Sequence, residues 1–467
     1  MFDIVINQGI IITSETDYQP QLGNIGIKDG KIAYVGAAPL PISEGTELID
    51  ATDKVIMPGM FNGHCHGDMT ILRGLLDHLT LLEQNQVMKA SAWLKDYLTE
   101  EDRTLSRQLT YLEAIKSGTT FIMENMYWGL GLASIDIMKK TGISGALAQG
   151  IRINFNIQRQ YVPETYLREF GTYAIKNGLI PVLATVAEED FDADVLSDIT
   201  GIAHKLGWFT TQHLAETMWR QDHVNKQFGT TSIRYLAENG FLHSKIIGSH
   251  VVYADPEEIV LMKKYGVRVV NTPLCEAKIA DGLAPIPAYL AAGIPVGLGT
   301  DGALWNNSND IFREMKGICL MHSLNSGVRS ISHKDALNMA TIGGASVFGL
   351  EDVTGSIQVG KRADLILVDT RTPHLRPIRL GIYENVSSSM VYNATGSDVT
   401  DSIIAGRLVM RNRTVLTMDE QDLLKRVQSA SEKLLERCLA AGVLKREEWG
   451  SSNAAAERYD KTGFRTV

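Results

Sequence analysis

The chain has 467 residues, a formal net charge of −9 and 44% hydrophobic residues, a composition typical of an ordinary globular protein. The acidic balance argues against nucleic acid or an anionic membrane surface as the main partner. The sequence contains no run of about 18 apolar residues, so no transmembrane helix is predicted. The four cysteines lie far apart, which fits a reducing compartment. We therefore expect a cytoplasmic protein with no nucleic-acid or membrane partner.

Short strands separated by turns occupy residues 1–56. Within them, "GNIGIKDGKIAYVG" carries Asp-Gly at its centre, which is typical of a β-hairpin. Between residues 57 and 352, helical stretches end at glycine and lead into buried apolar strands, as in "EEIVLMKKYGVRVVNTPL". The repetition of this pattern predicts βα units, a parallel sheet and enough chain for an eight-stranded barrel.

Strand-like patterns return after the predicted barrel. They are "GSIQVGKRADLILVDT", "SSSMVYNAT" and "TDSIIAGRLVMRNRTV". Because the two ends of the chain look alike, we expect residues 1–56 and 353–417 to form one small β domain beside a barrel of residues 57–352. Residues 418–467 are predicted to form an amphipathic helix followed by a polar tail.

Polar residues end several of the predicted barrel strands, which is where barrel enzymes place their chemistry. They are His64 and His66, His213 with Glu216, His250, and Asp301. His64 and His66 would project from one face of a strand, because residues two apart point the same way. Each position alone has an ordinary alternative: a packed histidine or a turn. Together, the imidazoles and the carboxylate suit a zinc or iron(II) ion.

Five ordered motifs resemble the amidohydrolase superfamily and, within it, the metal-dependent deaminases and chlorohydrolases typified by S-adenosylhomocysteine/methylthioadenosine deaminases. They are "KDGKIAYVG", "PGMFNGHCH", "HLAET", "GTDGALWNNSNDIF" and "GSIQVGKRADLILVD", and they span nearly the whole chain. The resemblance implies an α/β fold, a distorted (β/α)8 TIM barrel with a small β-sandwich built from the N- and C-terminal segments. By analogy it also implies a homo-oligomer, a dimer or higher.

The resemblance also implies the roles of the polar residues. The implied ligands of one divalent metal, Zn2+ or Fe2+, are His64, His66, His213 and Asp301. The implied catalytic residues are Glu216 as acid and base, His250 orienting water or polarising the substrate, and Asp301 handling protons. Two-metal relatives add a lysine from strand 4, and "IPVLATVAEED" has none. A divalent metal lowers the pKa of bound water from about 15.7 to about 7, so hydroxide can attack an amino-bearing ring carbon.

Three substrate-facing stretches depart from the family pattern. Strand 4 reads "LATVAEED" without the histidine of "HAPYT", and strand 3 offers Gln149 where arginine is common. The loop after strand 7 reads "NTPLCEAKIADG" where "NPVSNMKLASG" is common, so that Cys275 and Glu276 replace Ser and Asn. Since the metal and proton-transfer residues are kept, we infer retained chemistry on a changed substrate.

Five residues are candidate substrate contacts: Glu83, Gln149, Glu276, Trp305 and Asn306. Glu276 could accept an N–H or cationic edge of the substrate, or it could be a solvated loop residue. Glu83 could bind ribose hydroxyls, or it could be an ordinary charge on a helix surface. Trp305 could stack on a planar ring, or it could pack in the core.

The predicted function is that of a metal-dependent aminohydrolase that releases ammonia from a planar nitrogen heterocycle of the aminopurine or nucleoside, pterin or triazine type. One alternative keeps the site and expels chloride or an alkylamine, as triazine hydrolases do. A second alternative is a non-catalytic scaffold of the same superfamily. The complete set of ligands in this sequence argues against the scaffold.

Overall fold

The computed structural model describes residues 1–14, 19–84, 97–126, 129–150, 162–185 and 187–442. The predicted polar tail, residues 443–467, lies outside them. Two sheets organise the described chain: one has eight strands from its middle, and one has nine strands from both of its ends. No helix among the described residues is long and apolar enough to cross a membrane.

The elements follow one another along the described chain in this order. The strands are β1 (Ile4–Ile11), β2 (Gln21–Lys28), β3 (Lys31–Gly36), β4 (Glu47–Asp50), β5 (Lys54–Pro58), β6 (Met60–Cys65), β7 (Thr119–Asn125), β8 (Ser144–Gly150), β9 (Ile180–Ala184), β10 (Phe209–Leu214), β11 (Ile246–His250), β12 (Arg268–Asn271), β13 (Val296–Leu298), β14 (Leu365–Asp369), β15 (Val399–Ile404), β16 (Arg407–Arg411) and β17 (Thr414–Val415). The helices are α1 (Glu100–Lys116), α2 (Leu132–Thr141), α3 (Glu164–Lys176), α4 (Ala193–Leu206), α5 (Met218–Phe228), α6 (Ser232–Glu238), α7 (Pro256–Tyr265), α8 (Pro273–Lys278), α9 (Ile286–Ala291), α10 (Ile311–Ser326), α11 (His333–Ala340), α12 (Ile342–Val347), α13 (Val386–Tyr392) and α14 (Glu420–Ala440). Short 3-10 helices cover Gly67–Leu72, Glu188–Asp190, Pro373–Leu375, Gly381–Tyr383 and Gly396–Asp398.

Strands β6 to β13 pair in parallel, each with its neighbour in the sequence. A parallel bridge between Cys65 and Asp301 joins the first strand to the end of the last. The backbone N–H groups of Thr300 and Asp301 both donate to the carbonyl oxygen of His64, at 3.1 and 3.0 Å. The sheet is therefore a nearly closed barrel, which confirms the predicted (β/α)8 architecture.

The repeated unit of the barrel follows from helix capping. The Asp255 side chain caps the start of α7, and Gly266 ends the helix with a φ of 71°. Glycine adopts this left-handed conformation without steric cost, so the chain can turn directly into β12. The helices α4 and α5 end in the same way at Gly207 and Gly229. This is the structural basis of the helix, glycine and strand pattern in the sequence.

Strands β1 to β5 and β14 to β17 form the second sheet, in the order β17-β16-β15-β14-β5-β1-β2-β3 with β4 beside β1. Asp29 and Gly30 make the predicted hairpin turn between β2 and β3, with φ values of 49° and 75°. Ile25 of β2, Leu365 of β14 and Ile403 of β15 share one hydrophobic cluster, so distant parts of the sheet enclose a common core. This confirms the predicted β-sandwich contributed by both ends of the chain.

The prediction of a strand in "SSSMVYNAT" is wrong, because residues Val386–Tyr392 form α13. Val386 and Met390 lie four residues apart and are both fully buried. Residues four apart lie on one face of a helix, and α13 packs against α10 and α11. A short apolar segment suits a strand or a helix equally well, and here the neighbouring helices decide.

The predicted C-terminal helix is α14, which packs against α1. Its buried face is made of Leu423, Val427, Ala430, Leu434 and Cys438. Lys116 of α1 pairs with Glu420 of α14 at 2.7 Å. The helix α1 in turn packs against residues 67–72, directly after the first barrel strand. The C-terminal helix therefore supports the segment that follows the H-x-H pair.

Candidate active site

The H-x-H pair lies at the end of β6. His64 and His66 are 0% and 1% exposed, and their ring centroids are 4.9 Å apart. His64 Nδ1 lies 2.9 Å from Ser249 Oγ, and His66 Nδ1 lies 2.8 Å from the carbonyl oxygen of Asn125. A carbonyl oxygen only accepts, so the His66 Nδ1 carries a proton, and in the neutral ring Nε2 presents a lone pair. Burial opposes charge on this ring, but the neighbouring Asp301 carboxylate raises its pKa. The neutral ring with its proton on Nδ1 is the tautomer that binds a metal through Nε2.

Donor atoms from three barrel strands converge beside this pair. His66 Nε2 lies 3.3 Å from His213 Nε2. Asp301 Oδ1 lies 3.2 Å from both His64 Nε2 and His66 Nε2. Two ligand atoms bound tetrahedrally at about 2.1 Å from one zinc ion are about 3.4 Å apart. The observed separations therefore match ligands that share a single ion.

The chemistry of the donor set also fits a divalent metal. One ligand atom from each of His64, His213, His250 and Asp301 lies within 4.8 Å of the others. His64 Nε2 and Asp301 Oδ1 are buried and lie 3.2 Å apart, but neither makes a hydrogen bond of proper geometry among the described residues, a costly state unless another group binds them. Burial lowers the pKa of His64 to about 4 and that of His213 well below its usual value. Both rings are therefore neutral, the form that binds a metal.

His250 and Glu216 lie beside the donor cluster. His250 ends β11 with a φ of 71°, a strained conformation for a residue with a side chain. Its Nε2 lies 3.6 Å from Glu216 Oε1, and its Nδ1 lies 2.9 Å from Thr272 Oγ1. Burial opposes charge on His250, but the carboxylates of Glu216, Glu276 and Asp301 raise its pKa to about 10. A protonated His250 acts as a hydrogen-bond donor, and its catalytic role stays a prediction.

An ion pair that was not predicted from the sequence holds Glu216. Arg220 Nη1 donates to Glu216 Oε2, and Arg220 Nε donates to Glu189 Oε2 at 2.8 Å. Glu189 follows β9, so the unusual strand-4 stretch "AEED" supports the predicted acid and base of strand 5. Glu216 lies just before Thr217, the N-cap of α5, and Arg220 lies in the first turn of that helix, so their closeness in the sequence is the signal that could have indicated this pair.

Cys275, one of the departures from the family pattern, contacts the predicted metal ligand. Its Sγ lies 3.0 Å from Asp301 Oδ2, and the side chain is fully buried. Burial raises the pKa of the Cys275 thiol well above its usual value, so the thiol keeps its proton and can donate it to Asp301 Oδ2. This contact leaves Asp301 Oδ1 directed at the imidazoles.

A second buried charge cluster lies behind the H-x-H pair. Arg107 of α1 pairs with Asp68 at 3.2 Å and with Glu124 of β7 at 2.8 Å, and all three side chains are fully buried. Buried charges are tolerated when they are paired and hydrogen-bonded. The cluster fixes the segment after His66. Sequence reasoning missed it because Arg107 lies 39 residues from Asp68 and 17 from Glu124.

The predicted substrate contacts do not all meet at the pocket. Among the described residues, the pocket is lined by His66, Leu81, His213, Glu216, Arg220, Asp301 and Trp305. Trp305 therefore lies at the site, with its ring 5.1 Å from that of His66. Glu276 and Asn306 are buried beside it and bind the protein itself. Glu276 accepts from Asn271 Nδ2 at 2.7 and 2.8 Å, and Asn306 Nδ2 donates to the Thr300 carbonyl oxygen at 2.7 Å.

Glu83 and Gln149 make local contacts outside that lining. Glu83 accepts hydrogen bonds from the backbone N–H and the hydroxyl of Thr80, both at 2.9 Å, and so caps the start of a helix that begins at Leu81. Gln149 Nε2 donates to the carbonyl oxygen of Gly150 at 2.9 Å. Since Glu276 is 1% exposed, it is not a solvated loop residue. The substrate-binding roles of these residues stay predictions.

A barrel that gathers histidines and an aspartate at the ends of its strands has the site of a metal-dependent hydrolase. Residues 55–409 match the model of the amidohydrolase family. The chain is 32% identical over 451 residues to a 5'-deoxyadenosine deaminase of Methanosarcina acetivorans, covering 94% of this chain and 100% of that one. It is 30% identical over 438 residues to a 5-methylthioadenosine/S-adenosylhomocysteine deaminase of Desulforudis audaxviator, covering 93% and 99%. The chain belongs to the amidohydrolase family.

Solved structures share the fold over nearly the whole chain. An adenosine deaminase from Xanthomonas campestris with bound zinc has a TM-score of 0.84 at 24% identity, covering 93% of this chain and 99% of that one. An atrazine chlorohydrolase from Arthrobacter aurescens complexed with zinc has a TM-score of 0.82 at 19% identity, covering 92% and 100%. These likenesses confirm the predicted fold, and membership of the family confirms the predicted class of enzyme, an amidohydrolase.

Proposed function

We propose that this protein is a zinc-dependent aminohydrolase that releases ammonia from a planar nitrogen heterocycle of the aminopurine or nucleoside, pterin or triazine type. The observation that carries the proposal is the placement of Glu216 in the pocket, 3.6 Å from His250 and beside the cluster of metal-binding donors. Two relatives that are deaminases of adenosine derivatives by name support the same reaction. The nitrogen-rich donor set supports zinc.

The protein would hold the metal with His64, His66, His213 and Asp301. A bound divalent ion supplies a water that is nucleophilic near neutral pH. Asp301 divides its tasks between its two oxygens: Oδ1 faces the imidazoles, and Oδ2 faces the thiol of Cys275. Asp301 is therefore placed to receive a proton, while the hydrogen bond from Cys275 fixes the orientation of its carboxylate.

Glu216 handles the proton that the substrate needs. Arg220 holds the Oε2 of Glu216, while Oε1 faces His250. The carboxyl of Glu216 can donate to the ring nitrogen next to the amino-bearing carbon, and His250 can donate a hydrogen bond to the oxygen that adds there. The carbon–oxygen bond forms as Asp301 takes a proton from the attacking water. Asp301 passes this proton to the amino nitrogen, the carbon–nitrogen bond breaks, and the hydroxyl proton of the adduct returns to Glu216. Ammonia and a ring carbonyl result, so one water is consumed for each ammonia released.

Release of chloride or an alkylamine is the second candidate reaction. It is supported by the shared fold of the atrazine chlorohydrolase. Chloride leaves without a proton, whereas an amine must be protonated before it leaves. The pocket position of Glu216 therefore favours an amine over chloride as the leaving group.

The cellular location and the assembly of the protein are also proposed. All four cysteines are unpaired and buried, which supports the reducing environment of the cytoplasm. The resemblance to the deaminases supports a homo-oligomer. Size-exclusion chromatography with light scattering would test the assembly, and a monomer at all concentrations would contradict it.

The reaction can be tested by measuring ammonia release from zinc-loaded protein. The panel contains 5'-deoxyadenosine, adenosine thioethers, free aminopurines, pterins, aminopyrimidines and aminotriazines. We expect release from one ring class, lost in His64→Ala and in Glu216→Gln, with zinc content lost in His64→Ala alone. The exposed Asp352→Asn variant serves as the matched control. No release from any ring by a folded, zinc-bound protein would contradict the deaminase and direct the search to chloride or alkylamine release.

A further inference from the structure

Asp281 is a buried carboxylate that the reaction above does not use. It lies in the loop after α8 and is 5% exposed. Its side chain accepts no hydrogen bond from any described residue, and Oδ2 is completely enclosed. A buried carboxyl group that makes no hydrogen bond is costly for the folded protein, whether or not it carries its proton. Such a group beside an active site is expected to find its partner in a ligand.

The backbone holds Asp281 in one position. Its N–H donates to the carbonyl oxygen of Glu276 at 2.9 Å, and its carbonyl oxygen accepts from the Tyr253 hydroxyl at 2.6 Å. The neighbours Ala280 and Gly282 have φ values of 60° and 132°. A Cβ at Gly282 would lie 3.0 Å from the Tyr253 hydroxyl, so only glycine fits there without a shift. The carboxylate therefore belongs to a fixed turn.

The charged groups around Asp281 belong to the candidate active site. Burial first, and then the negative charges of Glu216 and Glu276, raise the pKa of Asp281 to about 9, while His250 and Arg220 act in the opposite direction. The geometry agrees: the Asp281 N–H binds the Glu276 carbonyl oxygen, and Oε1 of Glu276 lies 3.6 Å from His250 Nδ1. The unpaired carboxyl of Asp281 favours a ligand that brings an N–H donor, and most of all a cationic one.

We propose that Asp281 determines specificity by accepting a hydrogen bond from a second amino group of the substrate, next to the amidine on which Glu216 acts. This inference rests on the proposed function and narrows it. The substrate class is a planar heterocycle with a guanidine-like edge, such as a diaminopurine, diaminopyrimidine or diaminotriazine.

The physical basis is charge complementarity in a closed site. With a pKa of about 9, the Asp281 carboxyl of the free protein keeps its proton near neutral pH. A cationic N–H donor stabilises the ionised form, and the carboxylate then accepts more strongly than a neutral oxygen does. Losing one such bond in a buried site weakens binding by about tenfold to about a hundredfold. A ring without the second amino group would leave the carboxylate unpaired and would bind less well.

The first test uses a pair of probes that differ in charge and not in shape: benzamidine, a planar cationic amidine, and benzamide, its neutral counterpart. Titration calorimetry on the zinc-loaded full chain would compare wild type, Asp281→Asn and the exposed control Asp352→Asn. We expect wild type and control to bind benzamidine at least about tenfold more tightly than benzamide. Asp281→Asn should lose that preference. Equal affinity in wild type, or a preference kept in Asp281→Asn, would overturn the proposal.

The second test compares ammonia release from 2,6-diaminopurine riboside and from adenosine, which differ by one amino group. In Asp281→Ser we expect the ratio of the two kcat/KM values to fall by about tenfold, mainly through KM. Asp281→Asn should also melt at the same or a higher temperature than wild type, because asparagine keeps the shape of the side chain and replaces a carboxyl group that makes no hydrogen bond in the folded protein. An unchanged ratio, or an equal loss on both substrates with a lower melting temperature, would show that Asp281 is merely structural.

The two tests separate this inference from the proposed reaction. A protein that prefers benzamidine through Asp281 but releases no ammonia from any ring would overturn the reaction and keep the binding site. If the protein releases ammonia but the ratio of the two kcat/KM values is the same with and without the Asp281 carboxyl, the proposed reaction stands and the proposed role of Asp281 in specificity is wrong.

Discussion

Glu216 and Arg220 face each other at the start of α5, and Glu189 binds the far side of the same guanidinium. Arg220 and Glu216 are 3% and 2% exposed, so their charges are almost fully removed from water. The cost of removing water from two charges offsets most of their attraction, and a buried ion pair therefore adds little net stability. What the pair supplies is position: one oxygen of Glu216 is held, and the other is directed towards His250.

We therefore expect Arg220→Lys to lower kcat by about tenfold to about a hundredfold without loss of bound zinc, because lysine keeps the charge and loses the planar fork that reaches both glutamates. Glu189→Gln should lower kcat in the same direction by a smaller factor. Steady-state kinetics and zinc content measure both effects. The control is Arg168→Lys, which alters an exposed pair with Glu164 at the same spacing of four residues. Equal kcat values in Arg220→Lys and Arg168→Lys would contradict a positioning role.

At the scale of elements, α10 joins two loops that frame the site. Glu314 of α10 is fully buried; its Oε1 accepts from Asn306 Nδ2 at 2.7 Å and its Oε2 accepts from the Leu274 N–H at 3.0 Å. Asn306 belongs to the loop after Asp301, and Leu274 lies next to Cys275. Burial raises the pKa of Glu314 to about 8, although both hydrogen bonds act to lower it. One buried carboxyl group therefore links both loops to the helix.

This linkage predicts a pH dependence of stability. The pKa of a glutamate in the unfolded chain is about 4.3. Between about pH 4.3 and about pH 8, Glu314 therefore carries a proton in the folded protein but not in the unfolded chain. Stability from Glu314 is therefore present at low pH and is lost as the pH rises through that window. We expect the melting temperature to fall more between about pH 6 and about pH 8.5 in wild type than in Glu314→Gln. Both proteins are compared with zinc at saturation; parallel curves would contradict the assignment.

The sequence identifies the parts of the site that depend on strand ends. The pairs and motifs around His64, His213 and Asp301 each close an apolar run, and a parallel barrel brings all such ends to one rim. Asn306 and Glu276 have equally suggestive positions, but they turn inward to bind backbone and amide groups of their own loops. Whether a loop side chain faces the pocket or turns inward depends on how the loop packs against elements such as α10, whose Glu314 binds Asn306, and local sequence patterns do not show this packing.

At the scale of the whole molecule, the closure of the barrel depends on a short seam. Strand β13 has three residues, and a single bridge between Cys65 and Asp301 joins its end to β6 among the described residues. His64 and His66 stand on one side of this seam, and Asp301 stands on the other. A metal held by these residues would link the first and last strands, and His213 would tie them to β10. Since such a metal binds the folded chain and not the unfolded one, it stabilises the closed barrel.

Removing the metal should therefore loosen the seam before the rest of the molecule. At free zinc about a hundredfold above its dissociation constant, the lost stabilisation is about 2.7 kcal/mol, which a chelator should reveal as a lower melting temperature. Hydrogen exchange followed by mass spectrometry gives the location: the amides of Thr300 and Asp301, which bind the His64 carbonyl oxygen, should exchange faster, while those of the nine-stranded sheet should not. Restored zinc should reverse the change in wild type and have no effect in His64→Ala. Uniform loss of protection across both sheets would show instead that the metal stabilises the fold as a whole.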